Sequence, residues 1–195
     1  MNNVKKLLSM TAALFGAAIV LVSCGGTPKS VDFTDQGKID KNLRTMLGKY
    51  CQPDDAIIEL DFGTTNTKYT NSVESVDVTY FDTKSNAPKA ITIYFSGQEP
   101  GESIVSQAYK GANAQSGTRF ADIDFSKIAS NVNAGIKIMK GNGLVVSGIE
   151  NYVMVFNGDP AKARHSFELR NQTSPTEYFS YEFEVDSKGE VKEVD

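Results

Sequence analysis

Ile39, Leu43, Met46, Leu47 and Tyr50 stand at intervals of four, three, one and three, which puts them on one face of a helix over residues 35–50. Asp35 suits the start of that helix, and Pro53 lies just past its end, where a helix cannot continue. The spacing then changes to alternation. Strands are predicted over 56–62, over 73–81, where Val76, Val78 and Tyr80 alternate with Asp77, Thr79 and Phe81, and over 90–95. Asn86 and Pro88 supply the turn between the last two. A weaker strand is predicted over 103–109. The polar, Gly-bearing stretch 111–121 reads as a linker.

Helical spacing returns after Asp124 with Ile128, Val132, Ile136 and Met139, and Gly141 is placed to stop that helix. Strands follow at 144–146, 150–156, 163–170, 178–185 and 190–194. The chain thus runs twice through a helix followed by strands. Asp35, Lys38, Ile39, Asn42, Leu43 and Leu47 align with Asp124, Lys127, Ile128, Asn131, Val132 and Ile136 at a constant offset of 89, which suggests an internal duplication. The expected fold class is α+β, two helix-plus-antiparallel-sheet units over 35–110 and 122–195. Each helix has an apolar stripe and each strand set an apolar face, so laying one on the other buries both.

The amino terminus adds a different pattern. Lys5 and Lys6 precede an uncharged run over residues 7–22 that is short for a membrane span and ends in Leu21-Val22-Ser23-Cys24. That tetrapeptide resembles the lipobox of bacterial lipoproteins. The resemblance implies a signal peptide over 1–23, cleavage before Cys24 and a diacylglyceryl group on its thiol. Two or three acyl chains would anchor such a chain stably. Residues 24–34 then form a flexible tether of small and polar side chains. The expected location is the cell envelope, lipid-anchored, at the outer membrane facing the periplasm.

Charge narrows the partners. Loss of Lys5 and Lys6 leaves 18 basic against 24 acidic residues, so the mature chain carries −6. That argues against nucleic acid, which needs clustered Lys and Arg. Cys51 is the one cysteine besides Cys24, so no intrachain disulfide is expected within the mature fold. Following an apolar helical pattern, it should sit buried as a small hydrophobe.

Candidate chemistry is sparse. A catalytic dyad or triad would have to use His165, the single histidine, which shares a strand face with Phe167 and Leu169. A hydrolase would place it in a cleft beside a hydroxyl or carboxylate. Glu59 with Asp61 and Asp122 with Asp124 are acidic pairs, but alternation puts the first on the solvent face and Asp124 serves a helix terminus. No loop has the spacing of a calcium site. We expect no catalytic, metal or cofactor residues. Tyr80, Phe81, Tyr94 and Tyr178 come from both faces of the predicted strands; core packing claims one face, and the other, if no helix covers it, is the candidate binding surface.

The stretch 181–191, Tyr-Glu-Phe-Glu-Val-Asp-Ser-Lys-Gly-Glu-Val, resembles the closing hairpin of PepSY-type domains, with Asp186 and Gly189 at the turn. Two such units in tandem are similar in architecture to the beta-lactamase inhibitor protein family, which implies a binding or inhibitory role. The expected function is noncatalytic: an anchored envelope protein that binds a protein or small ligand on its sheet surface, enzyme inhibition being one form. The alternative is an envelope assembly factor that docks by strand addition.

Overall fold

A computed structural model describes residues 29–64, 70–174 and 177–194. In chain order the elements are β1 (Val31–Asp32), α1 (Ile39–Leu47), β2 (Ala56–Gly63), β3 (Ser72–Val73), β4 (Ser75–Asp82), β5 (Ala87–Tyr94), β6 (Gly101–Ser103), β7 (Thr118–Arg119), α2 (Ser126–Gly141), β8 (Val146–Val155), β9 (Arg164–Gln172), β10 (Tyr178–Val185) and β11 (Val191–Glu193). The strand order is β11-β10-β9-β8-β2-β4-β5-β6, antiparallel throughout, with β7 joined to β2. β1 and β3 form a separate two-stranded ladder.

The expectation of two helix-plus-sheet units is corrected by this topology. One antiparallel sheet of nine strands dominates the fold, and two helices share it. The seam is the pairing of β2 with β8, from Glu59 opposite Val155 to Gly63 opposite Asn151. Two separate units would leave both strands with open edges, whereas pairing them satisfies those backbone groups and merges the apolar faces into one core. The helices are also unequal, nine residues against sixteen. They touch directly rather than each covering a sheet of its own. Asn133 Nδ2 donates to the Thr34 carbonyl at 3.0 Å, and the Arg44 guanidinium donates to the Ile123 carbonyl while lying over the Phe125 ring.

Local chemistry explains the helix ends. Asp35 accepts from the Gly37 amide at 3.1 Å, and its carbonyl accepts from Ile39 N, shaping the turn before α1. Asp124 accepts from both the amide and the hydroxyl of Ser126 at the start of α2. At the other end Gly143, with φ +77°, lets Leu144 N reach the Met139 carbonyl. That is the left-handed residue that closes a helix.

Ile39, Leu43 and Leu47 from α1 and Ile128, Val132 and Met139 from α2 pack onto Leu60, Phe62, Val76, Val78, Tyr152 and Phe167 in a single buried cluster. β2 is bulged between Ile57 and Glu59. Residues 56–57 pair with β7 and 59–63 with β8, so the bulge hands the strand's edge from one partner to the other. It also turns Ile57 into the helix-side cluster while Ile58 is buried beneath residues 108–116. The stretch 103–109 is helical at Gln107–Tyr109, and the strand there is only Gly101–Ser103.

Candidate functional site

Strand alternation sorts the sheet into two faces. Leu60, Phe62, Val76, Val78, Tyr152, Met154, Phe167 and Phe183 face the helices. Their neighbours face the opposite way, and many are acidic: Glu59 and Asp61 on β2, Asp77 on β4, Glu168 on β9, Glu182 and Glu184 on β10. Register brings them together. Asp61 is opposite Asp77, and Glu168 is opposite Glu182.

Hydroxyl and amide groups hold part of this array. Tyr109 donates to Glu59 Oε2 at 2.5 Å, and Asn151 Nδ2 donates to Glu168 Oε1 at 3.1 Å. Thr92 and Ser103 both donate to Asp77. Asp61, half-buried at the centre, has its pKa raised to about 6, first by desolvation and then by Glu59, Asp77 and Glu168. Among the described residues no three His, Cys, Asp or Glu side chains are placed to hold a metal ion.

The aromatic candidates do not form one surface. Tyr80 lies on the helix side, half-buried against the core. Phe81 points the other way yet is only 7% exposed. Tyr94 is half-exposed on β5, opposite Ser75. Tyr178 stands far off on β10, its ring 3.8 Å from the Arg170 guanidinium, which forms a bidentate pair with Glu150. Four strands separate Tyr94 from Tyr178. Cys24 and the residues before it lie outside the described residues.

His165 is buried at 7% exposure and lines a cavity. Its Nδ1 is 2.9 Å from the Tyr152 hydroxyl, which accepts from Asn131 Nδ2 at 2.8 Å. The hydroxyl has one hydrogen to give, and of its two partners the amide nitrogen is a donor, so Nδ1 is the one that can accept it. That fixes the neutral imidazole with its proton on Nε2. Burial, and then the Lys127 ammonium, push the His165 pKa down to about 4. A hydroxyl does lie within reach of His165, but Tyr152 is fully buried and its phenol is held protonated by desolvation. The pair therefore supplies a fixed hydrogen-bond donor, a poor arrangement for a general base at neutral pH. Cys51, 5% exposed, has its thiol pushed up to about 12 by burial and by Asp55, so it is inert packing.

Sequence reading placed Glu59 and Asp61 on the solvent face but missed that Asp77 and Glu168 join them, because cross-strand register is nonlocal. It also missed Asn131 and Tyr152. The one signal available was a polar Asn131 within the apolar stripe of α2.

Among known proteins, no family model, no curated protein and no solved structure matches this chain. No helix among the described residues is long and apolar enough to cross a membrane.

Proposed function

We propose that this chain is a noncatalytic lipoprotein of the bacterial cell envelope, anchored through Cys24 at the outer membrane and facing the periplasm, which binds a cationic partner on its outer sheet face. The observation that carries the reading is the acidic sheet face opposite α1 and α2, open except where the segment bearing Tyr109 meets Glu59. Both helices lie on the other side, and Glu59, Asp61, Asp77, Glu168, Glu182 and Glu184 spread over β2, β4, β9 and β10. A partner presenting Lys or Arg would relieve the repulsion stored at Asp61. Inhibition of an enzyme with a basic surface is one form this binding takes.

A second reading, assembly by strand addition, rests on β10. β11 covers only Phe183–Val185, and no strand among the described residues pairs with the outer edge of 179–181, where Phe179 is 59% exposed.

One experiment separates the two. Full-length protein is purified from solubilised envelope as wild type, as an Asp77→Asn/Glu168→Gln/Glu182→Gln triple variant, and as Phe179→Lys. We expect a stoichiometric partner that is released by salt, lost from the triple variant and retained by Phe179→Lys. Equal recovery on the triple variant, with loss on Phe179→Lys, moves the function to the β10 edge. An intact-mass spectrum of the same sample checks the anchor: an unmodified thiol at Cys24, or an uncleaved leader, would remove the membrane tether.

A further inference from the structure

The β9–β10 ladder stops at Ser166 opposite Glu184. Beyond it the chain enters the turn at 186–190 on one side and leaves the 156–163 connection on the other. The first turns of α2 close the space between them. The result is a cavity of about 780 Å³, within the range of about 300–1,000 Å³ that small-molecule sites occupy.

Its charge is opposite to that of the chain. The whole sequence carries −4, yet Lys127, Lys162, Arg164 and Lys188 all line this cavity. The single carboxylate in the lining, Asp186, is already engaged: it takes Lys192 at 2.6 Å and accepts from the amides of Lys188 and Glu190. Asp124, the acid nearest His165 on the α2 side, is bound by Ser126. Lys162 has only an exposed pairing with Asp159 at 3.2 Å. Lys127, Arg164 and Lys188 form no salt bridge among the described residues. Like charges gathered around one concavity without counter-charges cost stability, unless an anion enters.

The cavity also has a fixed donor. The Asn131–Tyr152–His165 chain sets the imidazole proton on Nε2, the ring nitrogen for which no partner is found among the described residues. A neutral N–H held by two buried hydrogen bonds is a directional contact for an anionic oxygen, while the flexible ammonium groups supply charge. Ser130, at the same mouth on α2, adds a hydroxyl.

We propose that this cavity binds a small polyanion bearing phosphate or carboxylate groups, with His165 Nε2–H as the orienting donor and Lys127 and Lys188 as the counter-charges. The site meets the outer sheet face only at Arg164, which also lines the hollow beside Tyr109, and Lys127 and Lys188 lie away from that face, so either site can fail alone.

The chain's single histidine makes the test direct. Full-length protein in detergent, labelled with ¹⁵N-histidine, is titrated with pyrophosphate, with citrate and with vesicles containing phosphatidylglycerol, following the His165 ring nitrogens by NMR and heat by calorimetry. We expect one-site saturation that moves the Nε2 signal. Lys127→Ala or Lys188→Ala should weaken it by about tenfold, as loss of a charged hydrogen bond does, while Lys84→Ala, remote from the cavity, leaves it unchanged. A response to the soluble anions assigns a free solute, and a response to vesicles alone assigns a lipid headgroup. No saturable response to any of the three probes, or an equal loss in Lys84→Ala, would overturn the proposal.

Discussion

Replacing Phe167 with alanine is expected to destabilise the fold by about 3–5 kcal/mol, the usual cost of truncating a fully buried aromatic. Phe167 is the middle ring of a stack across three strands, 5.4 Å from Tyr152 on β8 and 5.2 Å from Phe183 on β10, with interplanar angles of 10° and 15°. Its other side meets α2 at Gly135, where an added Cβ would lie 2.8 Å from the Phe167 ring and 3.1 Å from Leu169 Cδ1. Helix and sheet approach so closely there that the ring has no free neighbour to fill its space. A cavity would therefore persist, and the urea midpoint should fall with the slope unchanged. Gly135→Ala should also destabilise, through overpacking, by about 1–3 kcal/mol. In the Phe167→Ala background the added methyl meets no ring, so the two losses must be strongly non-additive. A loss below about 1 kcal/mol for Phe167→Ala would mean that the stack does not support the sheet.

That stack shows what was legible in the sequence and what was not. Phe167, Leu169 and Phe183 were readable as inward residues because strict alternation survives in β9 and β10. The helices were readable because their stripes are regular, but their ends were not: α1 spans only Ile39–Leu47 inside the expected 35–50, and Gly143 rather than Gly141 closes α2. The merger into one sheet was not readable, since nothing local in β2 or β8 says that the two pair rather than each ending a separate sheet. Nor was the bulge at Ile58, which shifts the faces of β2 against β4 and leaves Ile58 on the outer side, where the alternation of β4 already places Phe81. Phe81 and Ile58 are buried there although no helix covers them. The segment 107–119, which reads as the end of a weak strand followed by a linker, lies over Ile58 and pairs with β2 through β7. Exposed aromatics inferred from alternation alone therefore fell on the wrong residues, while the acids, whose burial is costly, stayed where alternation put them.

Asp61 and His165 should give the fold two opposed pH dependences between about pH 4 and 6.5, the range bounded by their own shifted and ordinary values. The His165 pKa falls from 6.5 to about 4 in the folded chain. The unfolded chain therefore binds the extra proton, and the contribution, about 3 kcal/mol, is complete above pH 6.5 and lost as pH falls towards 4. Asp61 rises from 3.8 to about 6. Here the folded chain holds the extra proton, so stability is complete below pH 3.8 and is eroded as pH rises through 6, by about 1–2 kcal/mol once its part exposure to solvent is allowed for. The wild type should show only a shallow net rise with pH. Asp61→Asn should steepen that rise and add about 1–2 kcal/mol at pH 7. His165→Gln should reverse the slope, leaving the decline due to Asp61. Urea unfolding of the three proteins at pH 4.5, 5.5, 6.5 and 7.5 reads these slopes, and three parallel curves would show that neither group titrates as its surroundings dictate. The decline due to Asp61 also bears on the acidic face. A cationic partner seated there would bring the carboxyl back towards its ordinary value, so binding must release a proton near pH 6 and strengthen as pH rises.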